Sequence, residues 1–305
     1  MAQRIFKDDA MQVRFDKQGF LVVPFIDEAE VKELNDLFDS LHPDLPKEGF
    51  VAGSYSQDFS YKKKASDEIV KRFSKHYERL FVDYQPFGAA FLFKMPSQNS
   101  ELAIHQDWTI VDEEKYVALN CWVPLTDVNE TNGALQIVPG SHYDAIKTLR
   151  APTLPFFFTG NDDLVIEESV PMCVRAGEAV ILNQSVIHYS RANRSTQIRK
   201  AITAGVKSKG TSMQFHYKDN SKNEDVIEVF EMPEDFLISF KNFASDIFQR
   251  PTMGVSKGFK EYQVQQFSRE ELQKEISRMK TNAGFASIKP IEQKNIFQRI
   301  AAVFQ

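Results

Sequence analysis

The feature that most constrains the fold is a succession of short β-rich segments in the middle of the chain, each ended by turn residues. Between about residues 87 and 208, pairs such as Asn132-Gly133 and Pro139-Gly140 interrupt the apolar runs. Eight segments are predicted to be strands: residues 89–94, 102–106, 117–124, 135–138, 170–174, 179–182, 188–190 and 200–206. Short strands joined by such turns, without helices alternating between them, predict an antiparallel sandwich or jelly roll.

Helical patterns flank this β-rich centre on its N-terminal side. A further β-rich run over residues 19–26 precedes a capping-box pattern at Asp27 and Glu30. Apolar residues then recur at helical spacing, which predicts a helix over Glu28–Leu41. A second helix is predicted over residues 67–81. Residues 43–64 between the two helices are expected to form a loop, either an ordinary connection or a cover over a site.

The last part of the chain, residues 211–305, is predicted to be a helical extension of an N-terminal domain formed by residues 1–210, with its β-rich core at about 87–208. Its clearest helix begins at a capping-box pattern, Ser268 to Glu271, and continues to about Lys280. Five apolar residues near the C-terminus recur at helical spacing: Ile296, Phe297, Ile300, Val303 and Phe304. This stripe predicts a terminal helix that packs on the core or, alternatively, forms the interface of a homodimer.

The composition argues against several classes of partner. The net charge of −5 is unlike that of nucleic-acid-binding proteins, which usually present a basic surface. No segment approaches the ~18 consecutive apolar residues of a membrane helix, and the charged N-terminus does not resemble a secretory signal. The two cysteines, Cys121 and Cys173, lack the spacing of a zinc site or a disulfide framework, which suits a reducing compartment. The expectation is a soluble, cytoplasmic protein.

Among the six histidines, His105 carries the most information because it lies two residues before Asp107, in the segment from Ile104 to Trp108. In a strand, residues two apart point to the same face, so an imidazole nitrogen and a carboxylate oxygen could reach one metal ion. Such a pair often arises by chance and has a structural role. Alone, it is a weak indication of a metal site.

A second histidine strengthens this interpretation. His188 begins the predicted strand 188–190 and lies 83 residues after His105, which is consistent with ligands on opposite sheets of one barrel. Two imidazoles and one carboxylate can occupy one face of an octahedral Fe(II) ion. That arrangement leaves positions open for a chelating 2-oxo acid and for dioxygen.

Arg199 lies at the start of the last predicted strand, eleven residues after His188. Arginine is rarely buried without a partner, and its planar guanidinium can bind a carboxylate through two parallel hydrogen bonds. These properties suit an anchor for the distal carboxylate of a dicarboxylic acid. For this residue taken alone, a surface arginine at the beginning of a strand is an equally good interpretation.

The order of these motifs resembles the phytanoyl-CoA dioxygenase family. His105-Gln106-Asp107 is followed by NGALQIVPGSH, which begins at Asn132, then by a segment that begins at His188, and then by Arg199. The pattern FDKQGFLVVP, before the first predicted helix, is also similar to the way that family begins. The resemblance covers roughly residues 11–210, and the combination of motifs is specific although the first one alone is not.

This resemblance implies a mainly β double-stranded β-helix core with flanking helices, an Fe(II) ion, 2-oxoglutarate as co-substrate and dioxygen as oxidant. By position, His105, Asp107 and His188 would bind the iron, and Arg199 would bind the C5 carboxylate of 2-oxoglutarate. The resemblance also implies that four further residues line the co-substrate pocket: Ser190, Gln106, Trp122 and Lys94. The expected reaction oxidises a C–H bond of a small molecule, such as a natural product, an amino acid or an acyl derivative, and yields succinate and CO2.

The presence of Asp107 bears on the type of oxidation. Halogenating members of the family carry a small residue in place of this carboxylate, so the resemblance favours hydroxylation or a related oxidation. A non-catalytic jelly-roll protein that binds a metal or a small molecule is the alternative, because a site can persist after activity is lost. No segment contains a readable code for the primary substrate, and a fold does not choose one.

Overall fold

Two antiparallel β-sheets form the centre of the fold in the computed structural model, which describes residues 3–143, 148–222 and 224–285. The larger sheet has six strands, in the spatial order β1 (Phe20–Pro24), β8 (Glu178–Asn183), β5 (Leu119–Pro124), β10 (Arg199–Ser208), β3 (Tyr84–Lys94) and β2 (Phe50–Ala52). The smaller sheet has four strands, in the order β4 (Leu102–His105), β9 (His188–Ser190), β6 (Leu135–Ile137) and β7 (Val170–Met172).

The two sheets pack on each other through apolar side chains. Trp122, Leu182 and Ala201 from the six-stranded sheet share one core with Leu135 and Ile137 from the four-stranded sheet. This arrangement is the predicted double-stranded β-helix, and all eight predicted strands are present within it. Their ends differ from the prediction by a few residues, most at β3, which begins at Tyr84 instead of residue 89.

A layer of three helices covers the outer face of the six-stranded sheet: α1 (Asp9–Gln18), α2 (Glu28–Leu41) and α3 (Phe59–Leu80). Helix α2 has the predicted bounds, and its capping box is formed because Asp27 and Glu30 each accept a backbone N–H from the other. Phe38 of α2 and Phe73 of α3 are fully buried in one core with Phe91 of β3. Burial of this aromatic layer fixes the helices against the sheet.

Helix α3 begins eight residues earlier than predicted, at Phe59, within the segment that was expected to be a loop. Asp58 caps it by accepting a hydrogen bond from the backbone N–H of Tyr61 at 3.1 Å. The first turns of α3 are rich in lysine and lack an apolar stripe, so the sequence did not predict them. Lys62 is nevertheless buried there and donates to the main-chain oxygen of Phe240 at 2.6 Å. A strand, β2, and a 3-10 turn at Gly53–Tyr55 also lie in this segment, and helix α1 was not predicted.

The C-terminal extension was predicted to be helical, but the structure is not helical throughout. It contains a three-stranded antiparallel sheet of β11 (Met213–Tyr217), β12 (Val226–Met232) and β13 (Val255–Glu261). Strand β13 is exposed along nearly its whole length, so its sequence carries little of the apolar alternation that marks a half-buried strand. The helical prediction is therefore wrong for this part of the chain, whereas the boundary between domains at residue 210 stays a prediction.

Four further helices lie among the described residues: α4 (Asp162–Glu167), α5 (Phe236–Ser239), α6 (Phe243–Asp246) and α7 (Arg269–Asn282). Helix α7 begins at the predicted capping box, Ser268 to Glu271, and packs on the outer face of the four-stranded sheet. The apolar stripe predicted over residues 296–304 lies outside the described residues. None of the described helices is both long and apolar enough to span a membrane.

Candidate active site

Three side chains converge where the four-stranded sheet ends. His105 is the last residue of β4, His188 is the first residue of β9, and the two lie directly opposite each other in the ladder, with ring centroids 4.2 Å apart. Asp107 Oδ1 lies 3.9 Å from His105 Nε2 and 4.0 Å from His188 Nε2. All three potential ligand atoms are within 4.8 Å of one another. Two imidazole nitrogens and one carboxylate oxygen could therefore hold a single metal ion.

The hydrogen bonds of both imidazole rings orient them for this role. His105 Nδ1 lies 2.7 Å from the main-chain oxygen of Ala103, and His188 Nδ1 lies 2.9 Å from that of Val186. Because a carbonyl oxygen can only accept, each Nδ1 must carry the proton. The lone pair of each Nε2 then points toward Asp107, which is the tautomer that a metal ligand needs.

The protonation state of the site is also suitable. Burial, followed by the proximity of His188, holds the pKa of His105 below its ordinary value. The ring is therefore neutral at pH 7, and a neutral imidazole is the form that binds a metal.

The carboxylate of Asp107 is held by residues of the six-stranded sheet. Its Oδ2 accepts a hydrogen bond from Asn120 Nδ2 at 3.1 Å, and Asn120 Oδ1 accepts one from the hydroxyl of Thr203 at 2.7 Å. Asn120 lies on β5 and Thr203 on the neighbouring β10. This chain leaves Oδ1 directed at the two histidines.

Arg199 lies on the same face of β10 as Thr203, because residues two and four apart in a strand share a face. It is only 2% exposed, and its guanidinium lies over the ring of Trp122 at 5.4 Å from the centroid. Nε and Nη1 of Arg199 have no hydrogen-bond partner among the described residues. Burial lowers the pKa of Arg199 to about 9, so the side chain remains a cation at pH 7. A buried cation with two unpartnered donors fits a carboxylate ligand.

Lys94, which lies opposite Arg199 in the ladder, is fully buried but differs in its contacts. Its ammonium group donates to the main-chain oxygens of Ser100, Ser190 and Arg191 at 2.5, 3.0 and 2.7 Å. An ammonium group has three protons, so these contacts use all of its donors. These contacts join three chain segments, and the co-substrate contact that the resemblance implied for Lys94 stays a prediction.

Two other residues implied by the resemblance, Ser190 and Gln106, are buried next to the triad. Ser190 lies on β9 two residues after His188. Gln106, between His105 and Asp107, donates from its amide nitrogen to the main-chain oxygen of Ser185 at 2.5 Å. Within the described residues its amide oxygen has no partner, so Gln106 can still accept a hydrogen bond.

An aromatic stack lies beside the triad. The rings of Trp108 and Phe243 are 6° from parallel with centroids 5.4 Å apart, and Phe243 stacks in turn with Tyr55 at 4.7 Å. Trp108 directly follows Asp107, and burial together with the charge of Asp107 raises the pKa of Tyr55. Tyr55 also lines an open cleft of about 750 Å³. Residues from the N-terminal helical layer and from the C-terminal extension thus meet beside the triad.

The sequence motifs did not identify all the residues around Asp107. Asn120 was a detectable candidate because it is a polar residue inside the apolar strand β5. Arg150, which donates to the main-chain oxygen of Asp107, lies 43 residues farther along the chain in a segment without a recognisable pattern. No local pattern in the sequence links Arg150 to Asp107.

A double-stranded β-helix that brings two histidines and a carboxylate to one point, with a buried arginine on the facing sheet, defines a class of jelly-roll proteins with a candidate two-histidine, one-carboxylate metal site. Within that class the chain belongs to the phytanoyl-CoA dioxygenase (PhyH) family, whose family model matches residues 15–201. The matched range contains the triad and Arg199, as the motif order had predicted.

Relatives in several organisms carry related sequences. The chain is 30% identical over 118 residues to phytanoyl-CoA dioxygenase 1 of Oryza sativa subsp. japonica, a match that covers 38% of this chain and 42% of that protein. It is 29% identical over 196 residues to phytanoyl-CoA dioxygenase domain-containing protein 1 of Danio rerio, covering 62% of this chain and 60% of that protein. The chain thus spans about half the length of these relatives.

Two crystal structures share the fold. The epimerase SnoN in complex with Fe3+, alpha ketoglutarate and nogalamycin RO has a TM-score of 0.52 at 18% sequence identity, covering 82% of this chain and 95% of SnoN. The non-heme alpha ketoglutarate dependent carbocyclase SnoK from nogalamycin biosynthesis has a TM-score of 0.50 at 18% identity, covering 68% of this chain and 86% of SnoK. These likenesses independently support the double-stranded β-helix.

Proposed function

We propose that the chain is an Fe(II)- and 2-oxoglutarate-dependent dioxygenase that hydroxylates or otherwise oxidises a C–H bond of a small molecule and produces succinate and CO2. The observation that carries this proposal is the pairing of two complementary features. One is a cluster of two Nε2 atoms and a carboxylate oxygen, and the other is the buried, unpartnered guanidinium of Arg199. A candidate metal site on one sheet and a candidate anion anchor on the facing sheet suit a metal ion and a dicarboxylic acid bound together.

The donor set fits Fe(II) because imidazole and carboxylate ligands suit that ion and leave part of its coordination shell open. His105, Asp107 and His188 would hold the iron, and Arg199 would hold the C5 carboxylate of 2-oxoglutarate. Iron bound there would supply the oxidising chemistry by using dioxygen and 2-oxoglutarate against the substrate C–H bond. Because Asp107 keeps a carboxylate in the set, we propose oxygenation and not halogenation.

The residues of the chain contribute orientation and the exclusion of water. The Nδ1 contacts of His105 and His188 fix both rings before a metal arrives, which reduces the cost of ordering them on binding. Trp122 covers one face of the Arg199 guanidinium, and the low exposure of that cation strengthens its attraction to an anion. Gln106 could accept a hydrogen bond through its free amide oxygen.

We also propose that the primary substrate is a small molecule with an apolar face. Support comes from the aromatic stack of Trp108, Phe243 and Tyr55, in which Trp108 directly follows Asp107. Aromatic rings recognise apolar and planar groups through burial and stacking. Adding small molecules of different classes to an assay of succinate formation would identify the class of substrate, because the true substrate should increase the amount of succinate.

The test is to incubate the purified chain with Fe(II), ascorbate and 2-oxoglutarate in air and to quantify succinate. We expect succinate that depends on both iron and 2-oxoglutarate and that disappears in Asp107→Ala. In parallel, anaerobic titration of the Fe(II)-loaded chain with 2-oxoglutarate should produce the visible absorption band of a chelated 2-oxo acid. Binding of both ligands without succinate, even with a broad panel of small molecules, would support the non-catalytic alternative. Failure to bind either ligand would contradict the proposed site.

A cytoplasmic location is a further proposal, supported by the free thiols of Cys121 and Cys173. Cell fractionation with an antibody to the chain would test it. The homodimer predicted through the C-terminal helices depends on residues outside the described part of the chain. The homodimer stays a prediction, and analytical ultracentrifugation of the full chain would measure the oligomeric state.

A further inference from the structure

Asp107 is supported differently from the two histidines of the triad. His105 and His188 are held by the ladder between β4 and β9, in which they are direct partners. Strand β4 ends at His105, so Asp107 lies two residues beyond the last strand residue and has no ladder partner. The alternation of a strand, from which the sequence prediction was made, does not place its carboxylate. Other contacts must hold this residue in position.

The main chain of Asp107 is held by a buried arginine. Arg150 Nε donates to the main-chain oxygen of Asp107 at 2.8 Å, and its side chain is only 4% exposed. The two terminal nitrogens of Arg150 face the two carboxylate oxygens of Glu113, with Nη1 at 2.8 Å from Oε2. Such a fork of parallel hydrogen bonds fixes the guanidinium plane, and therefore the direction of Nε.

The same two segments are also joined through their main chains. The N–H of Thr109 donates to the main-chain oxygen of Arg150 at 2.9 Å, and the N–H of Arg150 donates to Thr109 Oγ1 at 3.1 Å. Both residues are buried. The segment that carries Asp107 is therefore joined at three points to the segment that carries Arg150.

From these contacts we infer that Arg150, oriented by Glu113, is a positioning residue that sets Asp107 against the two histidines. It acts on the backbone, whereas Asn120 acts on the carboxylate by holding Oδ2 and leaving Oδ1 toward His105 and His188. Arg150 would not touch the metal, the co-substrate or the substrate. This inference rests on the proposed function, because it assumes that Asp107 is a metal ligand.

The matched control is Arg269, which forms a similar two-point ion pair with Asp163 on the surface. Arg269 begins helix α7, outside the triad and its supports. Arg269→Ala thus removes the same type of interaction without disturbing Asp107. Comparison of Arg150→Ala with Arg269→Ala separates a role at the metal site from the general loss of an arginine–carboxylate pair.

The experiment measures Co²⁺ affinity and the visible spectrum of bound Co²⁺ for the full-length chain by titration after removal of metals. Loss of a residue that orients a metal ligand typically weakens metal binding about 10- to 100-fold, and we expect that loss for Arg150→Ala. Arg269→Ala should bind Co²⁺ as the wild type does. In an Asp107→Ala background, Arg150→Ala should cause no further loss, because its effect passes through the missing carboxylate.

Each outcome has a defined meaning. An equal loss with and without Asp107 would show a general structural role and overturn the inference, as would wild-type affinity in Arg150→Ala. If Arg150→Ala does not fold, Arg150→Lys and Glu113→Gln take its place, because they keep most of the side-chain volume. Wild-type affinity and an unchanged Co²⁺ spectrum in both would also overturn it. A wild-type chain that binds neither Co²⁺ nor Fe²⁺ would instead contradict the proposed function itself.

Discussion

The two sheets present their candidate functional residues from very different supports. The six-stranded sheet carries Arg199 and Asn120 on strands that are paired on both sides, and β10 pairs along its ten residues with β3 and along much of its length with β5. The four-stranded sheet carries His105 and His188 on strands of only four and three residues. The six-stranded sheet is thus a continuous platform for the candidate anion anchor, and the four-stranded sheet is a short frame for the candidate metal site.

This difference shows why the two halves of the site need different supporting residues. A long ladder orients Arg199 without help from its own polar atoms, which leaves two of its donors available. The short ladder orients only the histidines, so Asp107 depends on contacts from Asn120 and Arg150. Polar atoms that are satisfied inside the chain stabilise the fold, whereas the unpartnered donors of Arg199 are available to a ligand.

The largest effect on activity is expected from a substitution in the short frame of the four-stranded sheet. His188→Ala should lower 2-oxoglutarate turnover by about 1000-fold or more, since loss of a metal ligand removes several kcal/mol of transition-state stabilisation. Because the ring is held by one main-chain contact and the ladder remains, the melting temperature of the metal-free chain should change little. Succinate formation and thermal unfolding measure the two quantities. Retention of full turnover would remove His188 from the ligand set.

A smaller effect, on a different ligand, is expected from the long platform. Arg199→Ala should raise the dissociation constant of 2-oxoglutarate about 100-fold, because a buried charge pair contributes several kcal/mol. Iron affinity should stay within a few-fold of the wild type. Arg199→Lys keeps the charge without the planar fork, so it should recover only part of the loss. Calorimetric titration measures the affinity for each ligand. Equal losses of affinity for iron and for 2-oxoglutarate would indicate a folding defect and would contradict separate roles for the two halves of the site.

From the sequence, the convergence of the candidate ligand residues could be predicted, but not the residues that support them. His105, Asp107, His188 and Arg199 stand out because their spacing and order form a pattern along the chain. The expected reason for the position of Asp107 was wrong, because β4 ends before it. The support from Arg150 depends on a contact between distant segments, and neither segment indicates the other.

The fold, like the site, could be predicted where local interactions determine it and not where distant contacts do. Helices α2 and α7 begin at the predicted residues because a capping box is a local interaction between residues three apart. The start of α3 was missed because Lys62 is buried through a contact with Phe240, which lies 178 residues away. Strand β13 was missed because its exposed sequence lacks alternation, whereas β11 and β12 carry buried apolar residues that a strand prediction could have used. Local patterns predicted the elements whose ends are fixed locally, and tertiary contacts set the rest.

The smallest effect tests whether Lys94 belongs to the platform as a structural residue. Burial, then the charge of Arg199, lowers the pKa of Lys94, whereas its three carbonyl acceptors favour the charged form, so the buried ammonium group depends on them. Lys94→Met keeps the length of the side chain but leaves those acceptors unsatisfied, which should lower the free energy of unfolding by about 2 kcal/mol. Chemical denaturation measures this change. Lys63→Met is the matched control, because Lys63 forms an exposed surface ion pair with Asp67 and its replacement should change stability by less than about 0.5 kcal/mol. If Lys94→Met instead keeps wild-type stability and weakens 2-oxoglutarate binding as Arg199→Ala does, then Lys94 contacts the co-substrate, and both buried cations of the platform serve the ligand.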